Sequence, residues 1–259
     1  MKLDKRELFS RNSLYWGENA QNLLAAKHAV VFGLGGVGGF CAEALARAGI
    51  GKLTIVDFDK VSESNINRQI VALHSTIGKS KAELFKERLK DINPQIELNV
   101  VDNFCTEENI SNILLAGEKV DFVSDAIDTM RSKIALLEFC VKNNIPVISS
   151  MGAGNRIDPT KLYICDIKDI ENKNAPFISN VIYQLKKRGI TTGIDVVASR
   201  EKPFVQEKIS STEKITTAEG GEIEFTKITP ASTPFVASCA GIFMAYEIVK
   251  KFVYGEEKR

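Results

Sequence analysis

Between Val30 and Gly38 the chain reads VVFGLGGVG: strand-forming apolar residues, a turn with glycines at Gly33, Gly35 and Gly38, then the start of a helical pattern. That spacing suits phosphate. Glycines permit the tight turn and let backbone amides approach an anion, while the next helix offers free N–H groups and a positive dipole end. Asp57 ends the following apolar run about 19 residues beyond Gly38, where a carboxylate can accept hydrogen bonds from ribose hydroxyls. Loop and acid together indicate a nucleotide, but a nicotinamide dehydrogenase would carry both.

The next segment separates the readings. Ser64 to Gln69 reads SNINRQ, and Lys81 opens a helical pattern in GKSKAE. Hydride transfer needs a nicotinamide cleft, whereas Arg68 and Lys81 suit a triphosphate attacked at its α-phosphorus, where developing negative charge needs fixed cations. Asp128 closes DAID after the apolar run at Phe122 to Ser124, at the strand end where ligands sit in open α/β sheets. It can hold Mg2+ against phosphate oxygens, or N-cap the helix that begins near Met130.

These residues need a scaffold that brings strand ends to one edge. Strand-length runs at His28 to Phe32, Leu53 to Val56, Ile96 to Val101, Phe122 to Ser124 and Pro146 to Ser149 alternate with helix-period segments. The alternation predicts a Rossmann-like α/β fold, a doubly wound, mostly parallel sheet. Residues 1–259 read as one domain: an N-terminal helical segment (1–27), a nucleotide-binding core (28–154) and a C-terminal extension (155–259). In the extension, Lys161 to Ile167 and Gly193 to Ser199 read as strands and Pro176 to Arg188 as a helix. Ser210 to Gly221 reads as part of a long exposed loop, Ile223 to Ile228 as a short strand, and Pro234 to Val253 as a final helix.

Composition narrows the class. Lys plus Arg exceeds Asp plus Glu by only +1, so a polyanionic partner needs a local basic patch. The five cysteines are scattered and form no CxxC pair, which reads as reduced core thiols rather than a disulfide framework or zinc knuckle. Met1 to Ser10 is charged and lacks a signal-peptide core, and Phe235 to Val249 contains Glu247, so the expected compartment is the cytoplasm, with no membrane partner. His28 and His74 lack a positioned partner for general-base work.

GLGGVG, VDFDKVSESNINRQ, GKSKAE with INP, and DAID together resemble the adenylation domain shared by ubiquitin-activating enzymes and the ThiF, MoeB and HesA adenylyltransferases. Within that superfamily the chain is most similar to the tRNA threonylcarbamoyladenosine dehydratases, through FSRNSLYWGENAQNLL, NRQIVALHSTIGKSKAE, SSMGAGNRIDPTKLYICDI and KKRGITTGIDVVAS. The resemblance runs along about the whole chain. It implies ATP and Mg2+ as cofactors, with Gly33, Gly35, Gly36 and Gly38 around the phosphates and Asp57 on the ribose. Asp59, Asn65, Arg68, Gln69 and Lys81 would complete the ATP site, and Asp128 would hold the metal. Arg11 would reach into the neighbouring subunit of a homodimer, making Arg11, Arg68, Lys81 and Asp128 the catalytic set. The implied substrate is tRNA carrying threonylcarbamoyladenosine: its threonyl carboxylate is adenylated, and the carbamoyl group then displaces AMP to close a ring.

A sulfur-transfer protein is a further partner the resemblance admits, and activation of the C-terminal glycine of a ubiquitin-like sulfur carrier is the alternative reaction. Cys165 and Cys239 read as packing residues. Seven cations against three acids lie between Lys173 and Lys208. Lys186, Lys187 and Arg188 with Arg156 are therefore the expected tRNA-docking patch, although cations ending a helix also favour its dipole.

Overall fold

The computed structural model describes residues 5–204, 210–216, 222–228 and 230–255. Three short helices, α1 (Lys5–Leu8), α2 (Ser10–Trp16) and α3 (Glu18–Ala25), precede β1 (His28–Phe32). Then follow α4 (Gly38–Ala48), β2 (Lys52–Val56), α5 (Lys81–Ile92), β3 (Glu97–Val101), α6 (Ile110–Leu115), β4 (Phe122–Asp125), α7 (Met130–Lys142) and β5 (Val147–Ser150). The C-terminal part adds β6 (Leu162–Asp166), α8 (Pro176–Lys186), β7 (Asp195–Ser199), β8 (Ser210–Thr216), β9 (Glu222–Ile228) and α9 (Pro234–Tyr254).

The sheet runs β3-β2-β1-β4-β5-β7-β6, parallel throughout except that β6 pairs antiparallel with β7. All six parallel strands therefore end on one edge, and the order reverses between β1 and β4, which opens a crevice there. Alternation along β1 splits the core: Ala29 and Val31 pack with Leu45, Phe85 and Met244 beneath α4, α5 and α9, while Val30 and Phe32 pack with Leu114, Leu137 and Ile178 beneath α6, α7 and α8.

Two helices start beside the β1 turn. A Cβ on Gly241 of α9 would strike the Val37 carbonyl, so α9 lies against the first turn of α4 with its own N-terminus at the same edge. Among the described residues no helix is long and apolar enough to cross a membrane.

One element departs from the sequence reading. Ser210–Thr216, expected as loop, is β8, paired antiparallel with β9 from Ser210 opposite Ile228 to Thr216 opposite Glu222. SSTEKIT gives no regular apolar alternation, and a two-stranded ribbon outside the main sheet does not require one. Residues 217–221 of that expected loop lie outside the described residues.

Candidate active site

The glycine turn follows β1 directly. Gly33 has φ +84°, and a Cβ there would stand 2.8 Å from the Ala126 carbonyl oxygen. At Gly38 a Cβ would collide with the Gly33 carbonyl, so the turn closes tightly on the start of α4. Gly36 faces Arg68 and Ala237, and Gly35 faces the Gln69 side chain. The loop thus touches the 125–128 turn on one side and the Arg68–Gln69 segment on the other.

Asp57 leaves the end of β2 and is buried. Its carboxylate accepts from Leu34 N (2.5 Å) and Asp59 N (2.8 Å), tying the glycine turn to the next loop. Burial raises its pKa, with the two amides and Lys81 working against that rise. Lys81, the first residue of α5, is buried and donates to Asp59 Oδ2 at 2.9 Å. Asn65 is buried and accepts from Ser62 N (3.1 Å), which shapes the short turn before Arg68. Arg68 Nη1 donates to Ser64 O (2.7 Å) and Asn67 Oδ1 (2.9 Å), so the guanidinium is held before any ligand arrives. Burial lowers its pKa, and the charge of Asp128 opposes that shift.

Gln69 is buried with Oε1 lacking a hydrogen-bond partner among the described residues. The Gln69 side chain lies against the glycine loop, its Nε2 3.7 Å from where a Cβ on Gly35 would stand. Asp128 is exposed, and its carboxylate accepts one long bond from Thr129 Oγ1 (3.4 Å). It does not N-cap α7; Thr129 holds the cap position, and no side chain bonds there. A single free carboxylate at a phosphate cradle is what Mg2+ uses, whereas a protein cage of three or more His, Cys, Asp or Glu is absent among the described residues.

Residues 9–253 match the model of the ThiF family. The chain belongs to the ThiF family. It is similar to the tRNA threonylcarbamoyladenosine dehydratase of Bacillus subtilis, 41% identical over 241 residues that cover 93% of this chain and 92% of that protein. Crystal structures of the Escherichia coli tRNA N6-threonylcarbamoyladenosine dehydratase in complex with AMP and with ATP match at TM-scores of 0.82 and 0.81. Their identity is 34% and 33%, over 95% of this chain and 94% of each of those. A molybdopterin-synthase adenylyltransferase from Haemophilus influenzae is 34% identical, over 54% of this chain and 56% of its own.

In this ThiF-family chain the structure brings together Gly33, Gly35, Gly36, Gly38, Asp57, Asp59, Asn65, Arg68, Gln69, Lys81 and Asp128 at one edge of the sheet. Arg11 is not among them. Its neighbour Asn12 donates to Arg47 O (3.0 Å) in the last turn of α4, a helix that starts at the glycine loop and runs about 16 Å away from it.

The structure separates the members of the expected tRNA patch. Arg156 is buried, and its guanidinium donates to the carbonyls of Gly152, Gly154 (3.1 Å) and Glu201 (3.2 Å). Burial lowers its pKa, with Glu201 opposing, and the side chain ties the 152–154 loop to Glu201. Lys186 ends α8 and Lys187 and Arg188 follow it; the first turn of α8 lies near Gly152 and its last turn leads toward the start of β7. They therefore sit at the amino edge of the sheet, opposite the glycine loop. Arg188 pairs with Glu138 (2.8 Å), and Lys187 lies over the Tyr183 ring.

Sequence reasoning missed a buried charged cluster behind the site. Lys133 donates to Asp125 Oδ2 (2.5 Å), Ser149 Oγ (3.0 Å) and Ser150 O (3.3 Å), and both members of the ion pair have no exposed side-chain surface. The signal was a lysine sharing a helical face with Leu136, Leu137 and Cys140.

No thiol is set up for chemistry in the buried set. Burial pushes Cys41 and Cys105 up to about 12, raises Cys140 further, and pushes Cys165 up to about 11. A reactive thiol needs the opposite environment. His28 is likewise occupied, with Nε2 2.9 Å from Thr54 Oγ1 and its pKa lowered by burial.

Proposed function

We propose that this protein is an ATP-dependent tRNA threonylcarbamoyladenosine dehydratase, residues 1–259 acting as one adenylation domain in the cytoplasm. The observation that carries the reading is the convergence of a tight glycine loop, a pre-held Arg68 and a buried Lys81 at the crevice between β1 and β4. Similarity over nearly the full length to dehydratases, one of them crystallised with ATP, supports both the cofactor and the substrate class.

In this reading the loop amides and the α4 N-terminus bind the phosphates, Asp57 accepts from the ribose, and Gln69 lines the loop beside Gly35. A threonyl carboxylate oxygen attacks the α-phosphorus, the bond to the β-phosphate oxygen breaks, and pyrophosphate leaves. Arg68 and Lys81 balance the charge that builds on phosphate oxygens. Mg2+, held by Asp128, would neutralise phosphate charge and orient the leaving pyrophosphate. The carbamoyl group of the same nucleoside then attacks the acyl carbon, AMP departs, a ring closes, and one water is lost overall. Ring closure within one molecule needs no enzyme nucleophile, which agrees with thiols that burial keeps protonated.

Arg11 acts on the partner subunit of a homodimer. No α2 residue is buried, and Leu14 and Tyr15 are 87% and 71% exposed, an apolar surface suited to a second copy. A sulfur-transfer protein would find no activated acceptor at Cys41, Cys105, Cys140 or Cys165.

The competing reading is activation of a sulfur-carrier C-terminus. ATP–pyrophosphate exchange separates the two: exchange that requires threonylcarbamoyladenosine-containing tRNA supports the dehydratase, and exchange that requires a ubiquitin-like carrier and ignores tRNA overturns it.

A further inference from the structure

Behind the candidate active site, and touching no solvent, lies the Lys133 cluster. All three protons of the Lys133 ammonium are directed at acceptors: the carboxylate that ends β4, and the hydroxyl of Ser149 and carbonyl of Ser150 on β5. Ser149 Oγ also donates to Asp125 Oδ2 (2.7 Å), and Asp125 Oδ1 accepts from Ile127 N (3.1 Å). One ammonium on α7 thus joins the ends of two strands, and the carboxylate it holds fixes the turn that leads to Asp128.

The other side of that turn is wedged against the glycine loop. Ala126 N donates to Phe32 O (2.9 Å), and the Ala126 carbonyl oxygen stands 2.8 Å from where a Cβ on Gly33 would be. Ala126 Cβ would also crowd a side chain at Gly38, at 3.0 Å. The 125–128 turn therefore has two walls, the phosphate cradle and the Lys133 cluster.

A fully buried ion pair is a poor source of stability, because desolvation offsets its attraction and apolar replacements of similar volume are often as stable. What such a pair does supply is a fixed geometry. The geometry points to Lys133 as a positioning residue: through Asp125 and Ser149 it sets the distance and direction of the Asp128 carboxylate relative to the glycine loop, and so the metal-dependent part of ATP binding. This inference rests on the reading of Asp128 as the Mg2+ carboxylate.

The test compares the full-length protein with Lys133→Met/Asp125→Asn, which removes both charges while Asn retains an acceptor for Ile127 N, and with Ser149→Ala. ATP affinity is measured by calorimetry with Mg2+ and with EDTA, and exchange of the Ile127 amide is followed in the ligand-free protein. The gain in ATP affinity on adding Mg2+ falls about 10-fold or more in the double variant, the range expected when support behind a metal ligand is lost. Affinity in EDTA changes little, and the Ile127 amide exchanges faster. A folded double variant with the parental Mg2+ gain and parental Ile127 exchange overturns the role. If the double variant does not fold, Ser149→Ala decides by the same readouts, moving both in the same direction or overturning the role. A parent whose ATP affinity ignores Mg2+ overturns the metal reading of Asp128, and Ile127 exchange then decides the positioning role by itself.

Discussion

The Lys81 side chain is 5% exposed, while that of its partner Asp59, whose carboxylate stands 2.9 Å from the Lys81 ammonium, is 47% exposed. The cation is sheltered at the start of α5, and the anion that holds it stands in solvent. A phosphate arriving in the cleft can take over that ammonium without leaving a buried charge unpaired, because Asp59 is already hydrated.

Lys81→Ala and Arg68→Ala each remove a cation whose contact strengthens as charge develops on phosphate. Each lowers the rate of adenylation on the order of 100-fold, the scale seen for loss of an oxyanion donor. Single-turnover formation of AMP from ATP with modified tRNA measures it. Near-parental rates in both variants contradict the phosphate assignment.

The glycines separate cradle from scaffold. Gly38→Ala drives a methyl group into the Gly33 carbonyl and distorts the loop, so thermal unfolding shifts down and ATP protection disappears. Gly35→Ala meets only Gln69 Nε2, at 3.7 Å, so the fold keeps its melting temperature. ATP affinity nonetheless drops, because the methyl group occupies the face presented to phosphate. Thermal shift with and without ATP reads both; unaltered ATP protection in Gly35→Ala would place the phosphates elsewhere.

Much of this was legible in the sequence because it rests on local patterns. The β1 turn, the end of β2 at Asp57 and the start of α5 at Lys81 each follow an apolar run into a glycine, an acid or a cap, and they fell where the pattern put them. What was not legible depends on partners far along the chain. Arg156 looks like a surface cation until Gly152, Gly154 and Glu201 are seen to turn three carbonyls toward it. Where α8 ends, and with it the position of Lys186, follows from the parallel placement of β7 on β5, not from spacing. Lys133 paired with Asp125 breaks the rule that an α7 core stripe is apolar, and such breaks gather near functional sites.

On the proposed trans role of Arg11, Arg11→Ala is inactive as a homodimer, each site lacking the partner's guanidinium. Arg68→Ala is slowed on the order of 100-fold because each site lacks its own arginine. Mixed dimers of the two contain one site with both arginines intact, so co-purified heterodimers recover activity. Verified heterodimers that remain inactive contradict a trans role for Arg11.

Native protein exposed to a thiol reagent at pH 8 reacts at no more than two of its five cysteines, the partly exposed Cys165 and Cys239, and at all five once unfolded. For Cys41 and Cys105, burial lifts the pKa to about 12, so the thiolate is scarce at that pH. Cys165→Ala with Cys239→Ala keeps tRNA-dependent AMP formation. Loss of that activity in a folded variant would require a covalent step.

The central claim is that the chain removes water from a modified tRNA at the expense of ATP, and nucleoside mass spectrometry of that tRNA tests it directly. Incubated with ATP and Mg2+, tRNA carrying threonylcarbamoyladenosine yields a modified nucleoside lighter by one water, in step with the AMP released. Continued ATP consumption with the nucleoside mass unchanged contradicts the account.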